Sequence, residues 1–216
     1  MKSFLVIGMG HFGKHLADRF QRMGNEVMII DKCAEKIEDL APDFQDAQIG
    51  DCSNINVLRS LDVKDFDVCF VTVGDDFQAS LEISSLLKEL GAKEVVAEVD
   101  MDVQEKFLLR NGADHVIYPE RDIASRMAVR YSANNVFDYL ALSEEYGIFE
   151  IPALEAWIGK SIRELDIRGK YNMNILGIKS GETMNPMPGA DYVFNNEEHV
   201  ILLGKKDQVI KITNKK

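Results

Sequence analysis

The 216-residue chain is short of positive charge and of cysteine, and each shortage removes a class of function. Lys and Arg number 25 against 36 Asp and Glu, a formal net charge of −11. That balance works against broad electrostatic binding to nucleic acid, which needs clustered cations to neutralise phosphates. The three cysteines, Cys33, Cys52 and Cys69, are odd in number, well separated and without C-x-x-C spacing. Neither a disulfide framework nor a zinc site is expected, and all three read as reduced packing residues. No apolar run approaches the ~20 residues that span a bilayer, and Met1-Lys2-Ser3-Phe4 leads into a strand pattern instead of a signal-peptide core. A cytoplasmic protein is expected. With 46% hydrophobic and 28% charged residues the composition is that of an ordinary globular protein. At ~100–200 residues per domain there is room for one full core and a second small one.

What is present is alternation. Short β-branched apolar runs at 3–7, 26–30, 46–49, 68–73, 94–99 and 115–118 are separated by segments of helical period at 11–23, 35–40, 54–61, 78–90 and 103–111, the signature of βαβ units around a parallel sheet. The fold class expected is α/β, a Rossmann-like doubly wound sheet over 1–120. After Pro119, the spacing of Ile123, Met127, Val129, Val136, Leu140 and Leu142 predicts one long connector helix over 121 to about 142, within a connector region 121–145. Beyond it, strand candidates at 148–151, 174–179 and 200–203, separated by Gly181, Pro186, Pro188 and Gly189, predict a small α+β domain over 146–216. The chain closes on a basic tail, Lys215-Lys216.

Gly8-Met9-Gly10-His11-Phe12-Gly13 follows the first predicted strand directly and opens the first helix, the context a dinucleotide fingerprint requires. Gly8 permits the tight turn, Gly10 lets the backbone approach a pyrophosphate, and Gly13 lets helix and strand pack closely. The helix N-terminus offers N–H groups and a partial positive charge to phosphates. Asp31, at the end of the second strand, is the acid expected to hold ribose hydroxyls and to repel a 2′-phosphate, which favours NAD-type or plain adenine nucleotides over NADP. His11 and His15 share a helix face at metal-ligand spacing, but no Glu follows His11 and no third ligand is evident; they read as phosphate-side and solvent-side histidines. A dehydrogenase would need an acid/base residue at the nicotinamide; no Tyr-x-x-x-Lys pair occurs and the rest of the chain is short for a substrate domain. An NAD-dependent oxidoreductase remains the alternative reading. A Rossmann transcriptional repressor would need a basic DNA-binding segment that the sequence lacks.

Several separated motifs in order extend beyond the glycine loop: Gly50-Asp51, Val73-Gly74-Asp75-Asp76, Gly112-Ala113-Asp114, Tyr118-Pro119-Glu120-Arg121-Asp122, Asn135-Val136-Phe137-Asp138-Tyr139 and Asp166-Ile167-Arg168-Gly169-Lys170-Tyr171. Over essentially its whole length the chain resembles the regulatory gating-ring subunits of bacterial Ktr/Trk potassium transporters, which carry an RCK N-domain and a smaller RCK C-domain.

The resemblance implies a non-enzymatic, nucleotide-sensing subunit. ATP, ADP or a nicotinamide dinucleotide (NAD or NADH) would sit against Gly8, Gly10, His11, Phe12, Gly13, Asp31, Asp51, Cys52, Gly74 and Glu98. Its identity would change the angle between paired subunits. A homodimer assembling into an octameric ring would act on an integral-membrane potassium-translocating subunit, with the connector helix crossing to the neighbour. Glu120 matches an acid that helps hold Mg²⁺ or Ca²⁺ at the nucleotide interface, oxygen-ligand chemistry that suits both ions. Ile162, Arg168, Asn174, Ile175 and Pro188 resemble positions that bind cyclic di-AMP in a cleft between two C-domains. There Arg168 would pair with a phosphate, the apolar residues would pack on adenine, and Asn174 would hydrogen-bond. Two departures reduce the positive charge of the pocket: His11 stands where many relatives have Arg, and Glu98 where they often have a basic residue. The expected ligand shifts from ATP toward a dinucleotide or a cation-assisted ADP.

Overall fold

The computed structural model describes residues 1–132 and 135–214, so the Lys215-Lys216 tail and residues 133–134 of the expected connector helix lie outside the described residues. Two compact units, Met1–Glu120 and Arg121–Lys216, divide the chain.

In the first unit, strands β1 (Ser3–Ile7), β2 (Glu26–Asp31), β3 (Asp46–Ile49), β4 (Val68–Val71), β5 (Val95–Glu98) and β6 (His115–Ile117) form one parallel sheet in the order β3-β2-β1-β4-β5-β6. The alternation of side chains sends Leu5 and Ile7 to one face and Phe4 and Val6 to the other, and both faces are buried. That is why β1 reads as a continuous apolar run instead of an alternating one. Helices α1 (His11–Arg22) and α2 (Ala34–Leu40) cover one face through Ala17, Ile37 and Leu40. Helices α3 (Ile55–Ser60), α4 (Phe77–Glu89) and α5 (Asp102–Arg110) cover the other through Leu58, Ile83, Leu87 and Leu108. Cys52 and Cys69 are packing residues of this second face, and all three cysteines are unbridged.

Helix α6 (Pro119–Ser132) starts at a proline, which suits a first helical turn because its missing N–H would have no partner there. The expectation of a helix running to about Leu142 is corrected here: Asp138–Ala141 is strand β7, antiparallel to β8 (Tyr146–Pro152). Of the positions read as one helical stripe here, Val136 is buried but Leu140 and Leu142 are exposed, and the buried residue of the strand is Tyr139 between them. Pairing with β8 decides it, with Tyr139 turned inward onto Phe149 at 4.8 Å between ring centroids.

The second unit continues with short helices α7 (Ile162–Leu165) and α8 (Ile167–Tyr171), strands β9 (Asn174–Ser180), β10 (Thr183–Asn185) and β11 (Glu198–Lys205), and helix α9 (Lys206–Thr213). Its antiparallel sheet has the order β10-β9-β11-β8-β7. Strict alternation along β11 buries Val200 and Leu202 in a core with Phe149, Trp157, Phe194 and Val209.

Candidate nucleotide site

Strand order reverses between β1 and β4, so the chain leaves the two strands in opposite directions and a crevice opens beyond their carboxyl ends. A cavity of about 570 Å³ lies there, of a size that suits a small-molecule ligand. Of the residues expected at the nucleotide, Gly8, Gly10, His11, Phe12, Asp31, Asp51, Cys52, Gly74 and Glu98 line it, as does Glu120. Gly13 does not, because it lies beneath the loop.

The three glycines of the loop differ in cause. Gly8 has φ +100°, and a Cβ there would come 2.5 Å from the Thr72 carbonyl oxygen. A Cβ on Gly13 would overlap the Gly8 carbonyl oxygen and the Thr72 hydroxyl. Both are glycines for the sake of the fold. Gly10 has φ −71°, open to any residue, and a Cβ on it would meet nothing within 4 Å. The protein itself gives no reason for glycine at that position, which faces the cavity. Just beyond it α1 begins without a side-chain cap and without an acid in its first turn. The first intrahelical bond is Lys14 N–H to Gly10 O at 3.0 Å, so the amides before it have no acceptor within the helix. Thr72 Oγ1, 2.7 Å from Gly8 O, turns that carbonyl toward β4 and away from the crevice.

Asp31 is buried at the end of β2. Its Oδ2 accepts the Met9 N–H at 2.6 Å and its Oδ1 the Cys33 N–H at 2.8 Å, with Lys36 Nζ at 3.4 Å. Oδ2 thus accepts two donors, while Oδ1, with one, retains a lone pair for a ligand hydroxyl. Lys36 and Lys32 also line the cavity, Lys32 pairing with Asp76 at 3.6 Å. Neither lysine was anticipated; their only signal is that they follow the fingerprint acid within five residues. Cys52 is buried, and burial, with the charges of Asp51 and Asp31 and the nearby Cys69, pushes its thiol up to about 12. It stays protonated and is no nucleophile.

The opposite wall is acidic. Gly74, at the end of β4, faces Asp100 and Glu98: a Cβ on it would lie 2.9 Å from Asp100 Oδ1 and 3.3 Å from Glu98 Cγ. Burial first, then the charges of Glu120, Asp100 and Asp75, push Glu98 up to about 7. Asp100 is also raised, by burial and by Glu120 and Asp75. Asp75 and Asp100 join the lining without having been expected as ligand contacts. Among the described residues no three His, Cys, Asp or Glu side chains converge to hold a metal ion, so a divalent ion beside Glu120 would need ligand oxygens from elsewhere. The arrangement as a whole can receive phosphates at α1 and ribose hydroxyls at Asp31.

Residues 4–119 match the TrkA-N domain and residues 147–216 the TrkA-C domain. The Ktr system potassium uptake protein C of Bacillus subtilis (strain 168) is 39% identical over 203 residues, covering 94% of this chain and 92% of its own. The Ktr system potassium uptake protein A of the same organism is 33% identical over 213 residues, covering 99% and 96%. This chain belongs to the Ktr/Trk family of potassium-transport regulatory subunits. Among solved structures, the GsuK channel bound to NAD superposes with a TM-score of 0.70 at 17% identity, covering 100% of this chain. That likeness is one of fold, and the chain spans 40% of the GsuK chain.

As a Ktr/Trk chain, the protein carries its expected second set of ligand residues on α7, α8, β9 and the loop after β10. Ile162 opens α7 and gives its N–H to Tyr192 O at 3.0 Å, while Arg163 N–H reaches Ala190 O at 2.8 Å, drawing the segment just after Pro188 against α7. Arg168 is exposed on α8, and Asn174 and Ile175 begin β9. Ile162 and Ile175 are partly buried against the core of this unit. A hollow of about 1,240 Å³ in the same unit is lined by Asn135, Tyr171, Asn214 and the 152–157 segment, and none of the five expected residues borders it.

Proposed function

We propose that this chain is the cytoplasmic, nucleotide-sensing subunit of a potassium-uptake system. An adenine nucleotide, ATP, ADP, NAD or NADH, binds along the crevice with its phosphates on the N-terminus of α1 and its ribose at Asp31. It is not turned over. Its identity sets the geometry of a homodimer, and dimers build an octameric ring that acts on an integral-membrane potassium-translocating partner. The observation that carries this reading is Gly10, a glycine with ordinary dihedrals and open space where its Cβ would be, next to uncapped helix amides. GsuK structures include one bound to NAD and one bound to ADP, which supports a nucleotide at this fold. Among the described residues no helix is long and apolar enough to cross a membrane, in keeping with a separate translocating partner. Ile123 on α6 is 56% exposed, which supports this helix packing on a neighbouring subunit. Glu120 would hold Mg²⁺ or Ca²⁺ jointly with phosphate oxygens, and Ile162, Arg168, Asn174, Ile175 and Pro188 would take cyclic di-AMP between two C-terminal units.

One observation favours the oxidoreductase alternative: Glu98, pushed up to about 7 on the wall of the crevice, is matched to proton transfer near neutral pH. Both readings meet the same test. The nucleotide that copurifies is identified by mass, binding is measured by calorimetry, and nicotinamide absorbance is followed with small carbonyl substrates. Binding without hydride transfer is expected. Gly10→Val should lose roughly a hundredfold in affinity, about 2.8 kcal/mol, with unchanged melting, whereas Gly13→Val should lower the melting temperature because its side chain overlaps backbone. Wild-type affinity in Gly10→Val would remove the basis of the proposal, and sustained hydride transfer would move the chain to the alternative.

A further inference from the structure

Glu98 is a largely buried wall residue of the crevice whose carboxylate oxygens are open to the cavity and face no donor among the described residues. Only 8% of its surface is exposed, it lines the cavity, and among the described residues it has no hydrogen-bond or ion-pair partner. Buried carboxyl groups are ordinarily hydrogen-bonded, because leaving one without donors costs most of its lost hydration. Its surroundings make matters worse, since the groups acting on it are Glu120, Asp100 and Asp75, all of the same sign. The lysines of the cavity pair elsewhere, Lys36 with Asp31 at the end of β2 and Lys32 with Asp76, which caps α4. The two lysines of the lining thus lie toward β2, where Asp31 and Asp51 offset them, while the wall over β4 and β5 carries Asp75, Glu98 and Asp100 with no lysine beside them.

We propose that Glu98 is a specificity residue of this crevice: it accepts hydrogen bonds from the hydroxyls of a second nucleoside and turns away a terminal phosphate, so the site selects a dinucleotide over a nucleoside triphosphate. The inference rests on the adenine-nucleotide reading above and adds what the far end of the ligand must be. With adenosine at Asp31 and the first phosphates on α1, whatever follows the phosphates extends toward β4 and β5. In a triphosphate that group is an oxyanion facing Glu98, Asp100, Asp75 and Glu120, and like charges at short range in a partly desolvated cleft repel strongly. In a dinucleotide it is a ribose whose two hydroxyls are donors, and a hydroxyl given to an ionised carboxylate makes a strong, charge-assisted bond. Gly74 makes room for the acids themselves: a Cβ there would lie 2.9 Å from Asp100 Oδ1 and 3.3 Å from Glu98 Cγ, so its missing side chain is what lets both stand at this wall.

The test uses the full chain at about pH 8.5, where Glu98 is ionised, freed of copurifying nucleotide and kept in EDTA so that no divalent ion masks the charge. NADH, ATP and ADP are titrated calorimetrically into wild type, Glu98→Gln and Glu98→Lys. Wild type should bind NADH roughly tenfold or more tighter than ATP. Glu98→Gln should weaken NADH by roughly tenfold while ADP, which ends short of the acidic wall, stays within about threefold. Glu98→Lys should reverse the order of NADH and ATP. If ADP binds wild type but the NADH to ATP ratio is the same in all three proteins, the inference fails and the nucleotide reading stands. If ADP does not bind wild type, both fail. Should Glu98→Lys not fold, the near-isosteric Glu98→Gln decides through the same ratio.

Discussion

Burying Glu98 among three other carboxylates ties the stability of the first unit to pH. Its folded-state value is raised to about 7 from an ordinary 4.5, so between those values the folded chain holds a proton that the unfolded chain has released. Stability is then greatest below about pH 4.5 for this group and falls as pH rises through 7, opposite to the usual carboxylate contribution. The loss at pH 8 should be on the order of 1–3 kcal/mol. Urea unfolding at pH 5 and pH 8 checks it: Glu98→Gln should be more stable than wild type at pH 8, with the gap closing at pH 5. Equal slopes in the two proteins would mean that Glu98 ionises freely. The glycines and Asp31 could be recognised in the sequence because a fixed backbone path dictates their type and spacing. Lys32, Lys36 and Asp100 could not: Lys32 and Asp100 stand in loops, Lys36 reaches in from the first turn of α2, and no periodicity records that these side chains end at the cavity.

Besides the burial of Val129 and Tyr139 in one core, an ion pair of good geometry links α6 to β7. Arg126 gives Nη2–H to Asp138 Oδ2 at 2.7 Å and Nε–H to Oδ1 at 3.0 Å, while Oδ1 also accepts the Tyr139 N–H at 2.8 Å. Burial pushes the Asp138 carboxyl up, but the hydrogen bonds from Arg126 and Tyr139 and the Arg126 charge outweigh it and the net shift is downward. Its contribution is therefore present above the ordinary carboxyl range and lost as pH falls through it. The side chains are 45% and 46% exposed, so solvent screening holds the pair to about 1 kcal/mol or less. Arg126→Met should cost that much at low salt, less at high salt, and nothing at pH 2; a salt-independent loss above about 2 kcal/mol would show that packing and not charge holds the join. The βαβ elements of the first unit were predictable because strands covered on both faces and amphipathic helices have different periods. The second unit is harder to read: β7 is four residues long with a single buried side chain, Tyr139, and β10, with three exposed residues, carries no apolar pattern at all.

Each unit has its own core, and that separation gives the sensing proposal a measurement that binding alone does not. A nucleotide that binds only the folded first unit stabilises it by mass action, about 2.7 kcal/mol at a hundred times its Kd. Hydrogen exchange with and without saturating NADH should show this as slower exchange along β1, β4 and β5. A sensing subunit should also show altered exchange beyond Glu120, in β8, β9 or β11, where no nucleotide is expected to touch the chain. Protection confined to Met1–Glu120 would describe a binding module that transmits nothing.

Asp31 holds the glycine loop as well as facing the cavity, since the Met9 and Cys33 amides both end on its carboxylate. A drift in descent toward ligands phosphorylated on the ribose would have to discard this acid, and with it the acceptor for two buried or half-buried amides. The first step of such a path yields a chain with a loosened loop before it yields a new preference. Ligand class at this corner is thus inherited together with foldability, and a change of ligand there needs a second acceptor in place before the first is given up.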